Sequence, residues 1–206
     1  MWNIVAIIWS PETDIGVEVG DYELVTYEKI AAVVTCSDCK NIDQLSPFER
    51  VDALFHYQTI LERASIHRIL LPVRFGTMAK SKKDIVRILQ NGAQRFISLL
   101  RYSENKAEFD LMGIWKEEIG QIEHQIFEDL ENRGYEFKIH QPVNKAICFH
   151  LSILMSPDEQ ETFTSVKDDL NQRLGDQIDL RLSEPLPPYT FFTLDLKESM
   201  AAPGGE

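Results

Sequence analysis

The chain is poor in the residues that specialised chemistry requires. Only three of its 206 residues are cysteine, at positions 36, 39 and 148, an odd number that does not make a disulfide framework and fits a reducing, cytoplasmic compartment. Cys36 and Cys39 have CxxC spacing, but no second pair or paired histidine motif completes a zinc site, so they read as reduced loop thiols. His56, His67, His124, His140 and His150 stand apart, and neither HExxH nor a DxDxDG loop occurs. Gly16, Gly20, Gly76 and Gly92 form neither a dinucleotide fingerprint nor a P-loop. Basic residues are also scarce, 21 against 33 acidic ones for a net charge of -12, which excludes non-specific nucleic-acid binding through clustered cations. The one local basic group, Lys80, Lys82, Lys83 and Arg87, reads as a solvated helix start. No apolar run approaches a membrane span, and the run in Met1 to Ser10 lacks the basic leader and small-residue site of a signal peptide.

What is present is a mixed α and β pattern with 44% hydrophobic residues, enough to bury a core without staples. Trp2 to Trp9 is β-branched and aromatic and reads as a buried strand. Leu24 to Tyr27 and Ile30 to Thr35 flank Glu28-Lys29 as a hairpin. Ser46-Pro47-Phe48-Glu49 is a capping box, and Val51, Leu54, Phe55, Tyr57, Leu61 and Ala64 are expected to face the sheet from the helix it starts. Ser81 caps a second helix carrying Ile85, Ile88, Leu89, Phe96, Leu99 and Leu100 to about Tyr102. Beyond Ser103-Glu104-Asn105 the order becomes strand, helix, strand, strand, helix, strand. Ala107 to Trp115 alternates as a half-buried strand, with Glu108 and Asp110 on its polar side. A stripe at Ile119, Ile122, Ile126 and Leu130 gives a helix that Gly134 stops. Tyr135 to Ile139 pairs with Ala146 to Leu154, and Ser156-Pro157-Asp158-Glu159 opens a helix ending near Gly175. Ile178 to Leu182 is a strand, and Phe192, Leu194 and Leu196 form a further short one. The fold class is α+β, with domains at 1–103 and 104–200 and a disordered tail at 201–206; the second domain has the order of a split βαβ, ferredoxin-like unit.

Leu70-Leu71-Pro72-Val73-Arg74-Phe75-Gly76-Thr77 is the most idiosyncratic stretch, reading as a strand that ends in a shaped turn. Arg74 cannot shed its charge, so burial would oblige a carboxylate to answer it, with Glu62 or Glu49 of the preceding helix as candidates. This stretch resembles the signature of the gas vesicle F/L accessory family (GvpF/GvpL). Asp52 to His56 with Leu61-Glu62, Phe109 to Trp115, and Leu186-Pro187-Pro188-Tyr189-Thr190-Phe191 resemble the family's preceding helix, following strand and closing segment. The resemblance implies a modified ferredoxin-like first domain followed by a second α/β domain. It also implies an accessory role in gas vesicle formation with the hydrophobic shell protein, and other gas vesicle accessory proteins, as partners. Longer members carry a helical insertion between the strands equivalent to those ending at Trp115 and starting at Ala146, which is here reduced to one helix and a short strand.

Catalysis needs a nucleophile, a base and an orienting group together. His56 has Asp52 nearby but no nucleophile tied to it by any motif, and Glu117-Glu118 and Asp168-Asp169 point apart on helices. The expectation is therefore a cytoplasmic, non-enzymatic assembly factor without a cofactor. Arg74, Phe75, Gly76, His56 and Glu62 are its candidate partner-binding or structural residues. The competing expectation is a ligand-binding or redox enzyme using Cys36 and Cys39 or His56.

Overall fold

The computed structural model describes residues 1–10, 22–36, 44–65, 69–116 and 122–196. Cys39, His67, Gly16, Gly20, the Glu117-Glu118 pair, Ile119 and the tail at 201–206 lie outside them. The chain forms two compact units, residues 1–104 with 192–206, and residues 105–191.

Among the described residues, the first unit contains five strands and two long helices. Strands β1 (Trp2–Trp9), β2 (Glu23–Tyr27), β3 (Ile30–Cys36) and β4 (Leu70–Pro72) form an antiparallel sheet in the order β2-β3-β1-β4, and β5 (Met78–Ala79) also pairs with β1. Ile4 to Ile8 and Ile30 to Val34 are fully buried, as the unbroken apolar runs require of strands covered on both faces. Glu28 turns the β2–β3 hairpin at φ 49°, a left-handed conformation in a residue without glycine's freedom.

Helix α1 (Pro47–Ser65) starts as its sequence demands. Ser46 N–H donates to Glu49 Oε2 at 2.8 Å, and Glu49 N–H donates back to Ser46 Oγ at 3.3 Å. Its packing face is only part of the expected one. Tyr57, Ile60, Leu61 and Ala64 are buried, whereas Val51, Leu54 and Phe55 are exposed. Apolar residues form a wide arc around this helix, and only the part bearing Tyr57 meets the core. Helix α2 (Lys82–Tyr102) is capped by Ser81, whose Oγ accepts from Asp84 N–H at 3.2 Å. It buries Ile85, Ile88, Leu89, Phe96 and Leu100.

The second unit contains β6 (Ala107–Trp115), α3 (Ile122–Asn132), β7 (Glu136–His140), β8 (Ile147–Met155), α4 (Gln160–Leu174) and β9 (Ile178–Leu182). Its sheet runs β7-β8-β6-β9 with every neighbour antiparallel. Phe109, Leu111, Leu151 and Ile153 meet Ile126 and Leu130 of α3 and Phe163 and Leu170 of α4 in one core. Helix α3 ends in a Schellman turn: Gly134 adopts φ 80°, its N–H donates to Glu131 O at 2.9 Å, and Tyr135 N–H donates to Leu130 O at 3.1 Å; this closure favours glycine. The capping box at Ser156 forms ahead of a 3₁₀ turn (Pro157–Glu159) leading into α4.

After β9 the chain adds Leu186 to β6 through reciprocal hydrogen bonds with Glu108 and forms α5 (Tyr189–Phe192). The short strand expected at Phe192 to Leu196 is a single parallel bridge from Leu194 to Val73. That bridge explains why the residues from Phe192 belong with the first unit, and not with the 104–200 domain expected from the sequence.

Candidate partner-binding site

The Leu70 to Thr77 stretch is an excursion from a sheet edge. Pro72 pairs opposite Ala6, and Met78 opposite Asn3, so two residues on β1 face five between Pro72 and Met78. The surplus is thrown out as a turn in which Thr77 N–H donates to Arg74 O at 3.2 Å and Gly76 takes φ 82°. A positive φ at the third position is the type II pattern, which calls for glycine there. Thr77 Oγ also donates to Arg74 O at 2.7 Å.

The backbone of the stretch is satisfied from several sides, as burial of polar groups demands. Val73 N–H donates to Val5 O at 2.9 Å, and Val73 O accepts the buried Tyr57 hydroxyl at 2.5 Å. Leu194 N–H donates to Pro72 O at 2.6 Å, and Arg74 N–H donates to Leu194 O at 2.8 Å. Tyr57 also meets the half-buried Phe75 edge to face, with centroids 5.3 Å apart. The motif therefore clamps α1 through Tyr57 and receives the C-terminal segment on its open edge.

Arg74 itself is not the buried keystone expected. Its side chain is 63% exposed and pairs with Asp195 at 3.1 Å. Glu62 is exposed and accepts from Gln58 Nε2 at 3.4 Å, while Glu49 serves the capping box. His56 is exposed on α1, away from the Tyr57 clamp. Arg74, Phe75 and Gly76 thus sit together at the turn, and His56 and Glu62 lie on the outer side of α1. What the sequence pattern missed is the apolar surface beside His56: Phe48, Val51, Leu54 and Phe55 are 76, 50, 48 and 70% exposed. Two turns of large apolar side chains on the solvent side of a helix are the mark of a contact surface. The signal lay in the sequence as apolar residues too widely spread around the helix for one packing face.

The second unit holds a polar cluster on the sheet face opposite its core. Glu108 was expected on a solvated face but is 5% exposed; its carboxylate accepts Thr190 N–H at 2.8 Å and the Thr190 hydroxyl at 2.5 Å. Asp110, likewise expected in solvent, accepts the Ser152 hydroxyl at 2.8 Å, and Ser152 Oγ lies 2.8 Å from His140 Nε2. The single Ser152 proton is committed to Asp110, so His140 meets that oxygen as a donor. This order reverses a nucleophile–base–carboxylate relay, and the cluster acts as a fastener for the segment carrying Thr190. His150 Nε2 lies 3.4 Å from Asp110 Oδ1 without hydrogen-bond alignment. Among the described residues no group of three His, Cys, Asp or Glu is arranged to hold a metal ion.

Of the cysteines, Cys36 is exposed and Cys148 half-buried, both as free thiols. Burial, with the Glu123 carboxylate 3.8 Å away, pushes the Cys148 thiol up to about 12, the reverse of activation. Among the described residues no helix is long and apolar enough to cross a membrane.

The α+β fold with two antiparallel sheets is one that solved gas vesicle proteins share. It is shared with the crystal structure of the gas vesicle protein GvpF from Anabaena sp. PCC7120, at a TM-score of 0.70 and 15% identity over 94% of this chain and 96% of that one. The crystal structure of gas vesicle protein GvpF from Microcystis aeruginosa is similar at 0.65 and 16%, over 94% and 99% of the two chains. No curated protein sequence matches the chain. The family model for gas vesicle synthesis protein GvpL/GvpF matches residues 4–126 and 116–193, and the chain belongs to that family. Its role is accordingly tied to gas vesicles.

Proposed function

We propose that this chain is a non-enzymatic assistant of gas vesicle assembly that binds the hydrophobic shell protein through its first unit, in the cytoplasm or at the growing vesicle. The family match over residues 4–193 carries the reading. A wall that encloses gas must present apolar surface, and subunits bearing it need cover before they assemble. The exposed apolar side chains of α1 offer such cover. Val73 and Phe75, set by the turn at Gly76, are the rigid support that holds α1 in place through Tyr57, and other gas vesicle accessory proteins are further partners. We read both units as variants of the ferredoxin-like arrangement, the second in its split βαβ form and the first modified by the extruded turn.

The test is co-expression of the tagged full chain with the main shell protein of the same gas vesicle gene set. Recovery of the shell protein with the tag from the soluble fraction is expected. Recovery no greater than with an unrelated acidic protein would sink the proposal.

A further inference from the structure

Given the shell-binding role proposed above, on which this inference rests, we infer that the seat for the shell protein is the outward stripe of α1 formed by Phe48, Val51, Leu54 and Phe55, and that the contact is made through side chains. Positions 48, 51 and 55 follow one another on the side of the helix opposite Tyr57, Ile60 and Ala64. The stripe runs about 10 Å, two turns at about 1.5 Å per residue. It ends where Gln58 and Glu62 bond each other across the next turn. A helix presents no free backbone edge, so strand addition has no place here. The edge beside the Arg74 turn, the other natural seat, is taken by the chain's own Leu194.

The size of the stripe decides against a second copy as its occupant. An aromatic side chain offers about 150–250 Å², so the four residues at 48–76% exposure leave roughly 400 Å² open. A two-fold pair through this face would bury roughly 800 Å² in all, short of the about 1,200–2,000 Å² of stable complexes. The seat suits a short apolar segment held reversibly, which an assembly factor must release.

Phe48→Ser with Phe55→Ser removes the two largest contributions at exposed positions, so the thermal midpoint of the full chain should stay unchanged. Capture of the co-expressed shell protein should fall at least tenfold, while Ile139→Ser, another exposed apolar site on the second unit at 60%, should leave capture intact. Capture by the wild type that survives the double substitution overturns the seat but leaves the function standing, whereas no capture by the wild type overturns the function. Equal loss with Ile139→Ser would show general stickiness, and a halving of the wild-type mass on double substitution would assign the face to self-association; either result overturns the inference.

Discussion

Gly92 lies in the middle of α2, where replacement by alanine ordinarily stabilises a helix by about 1 kcal/mol. Here the opposite is expected. A Cβ built on Gly92 falls 2.3 Å from both Cε2 and Cζ of Phe96 and 3.0 Å from Cε1, against an optimal carbon separation of about 3.5–4.0 Å. Phe96 stands one turn on in the same helix and is wholly buried, so its ring, although the end of a side chain, has no free volume to enter. Overpacking of this kind costs about 1–3 kcal/mol. Two ring atoms overlapped by more than an ångström belong at the upper end, leaving a net loss of about 2 kcal/mol after the propensity gain. For a chain of this size that is a fall of roughly 4–8 °C in Tm. The assay is a double-mutant cycle by thermal and urea unfolding with Phe96→Leu, which costs stability alone but opens the space. In that background Gly92→Ala should become neutral or stabilising, a coupling of about 2–3 kcal/mol. A wild-type background in which Gly92→Ala raises Tm would refute the reasoning, because the glycine would then be a vacancy and not a fitted contact.

Arg74→Ala should cost no more than about 1 kcal/mol, since its partner Asp195 is a surface one, whereas Tyr57→Phe should cost about 1–3 kcal/mol by stranding the buried Val73 carbonyl; unfolding midpoints that rank the two in the other order would reverse the assignment of clamp and decoration. Cys148 should resist thiol reagents: burial and Glu123 raise its thiol to about 12, so at pH 8 its thiolate is roughly a thousandfold scarcer than that of an ordinary cysteine. Timed labelling with mass mapping should find Cys36 modified early and Cys148 only after denaturant or at strongly alkaline pH; comparable rates at pH 8 would contradict the burial.

The features legible in the sequence were those written within a few residues. The capping boxes at Ser46 and Ser156, the Ser81 cap, the stop at Gly134 and the turn at Gly76 each follow from local stereochemistry. The strand alternation of β6 and β8 follows from which face meets a helix. The misreadings are of another kind. Val51, Leu54 and Phe55 belong to an apolar arc on α1, and periodicity cannot say which part of a wide arc meets the sheet. Arg74 finds Asp195, 121 residues later in the chain, a partner no short-range rule could nominate. Glu108 and Asp110 keep the alternation of a solvated face, yet the segment around Thr190 covers them with matched hydrogen bonds. Pro72 and Gly76 marked the candidate turn, whereas the outward face of α1 consists of apolar residues that folding leaves unused.

The first unit is discontinuous in the chain, and this orders its birth on the ribosome. Its sheet is laid down early, but Phe192, Leu194 and Leu196, all buried, are translated after residues 105–191. At about 5–20 residues per second, that delay is on the order of five to twenty seconds. Throughout it the edge beside Val73 lacks Leu194, and the nascent first unit shows an open strand to whatever apolar chain is being made nearby. Emergence of Phe192 to Leu196 is then the event that shuts the edge, so a product stalled before them would be adhesive as well as incomplete.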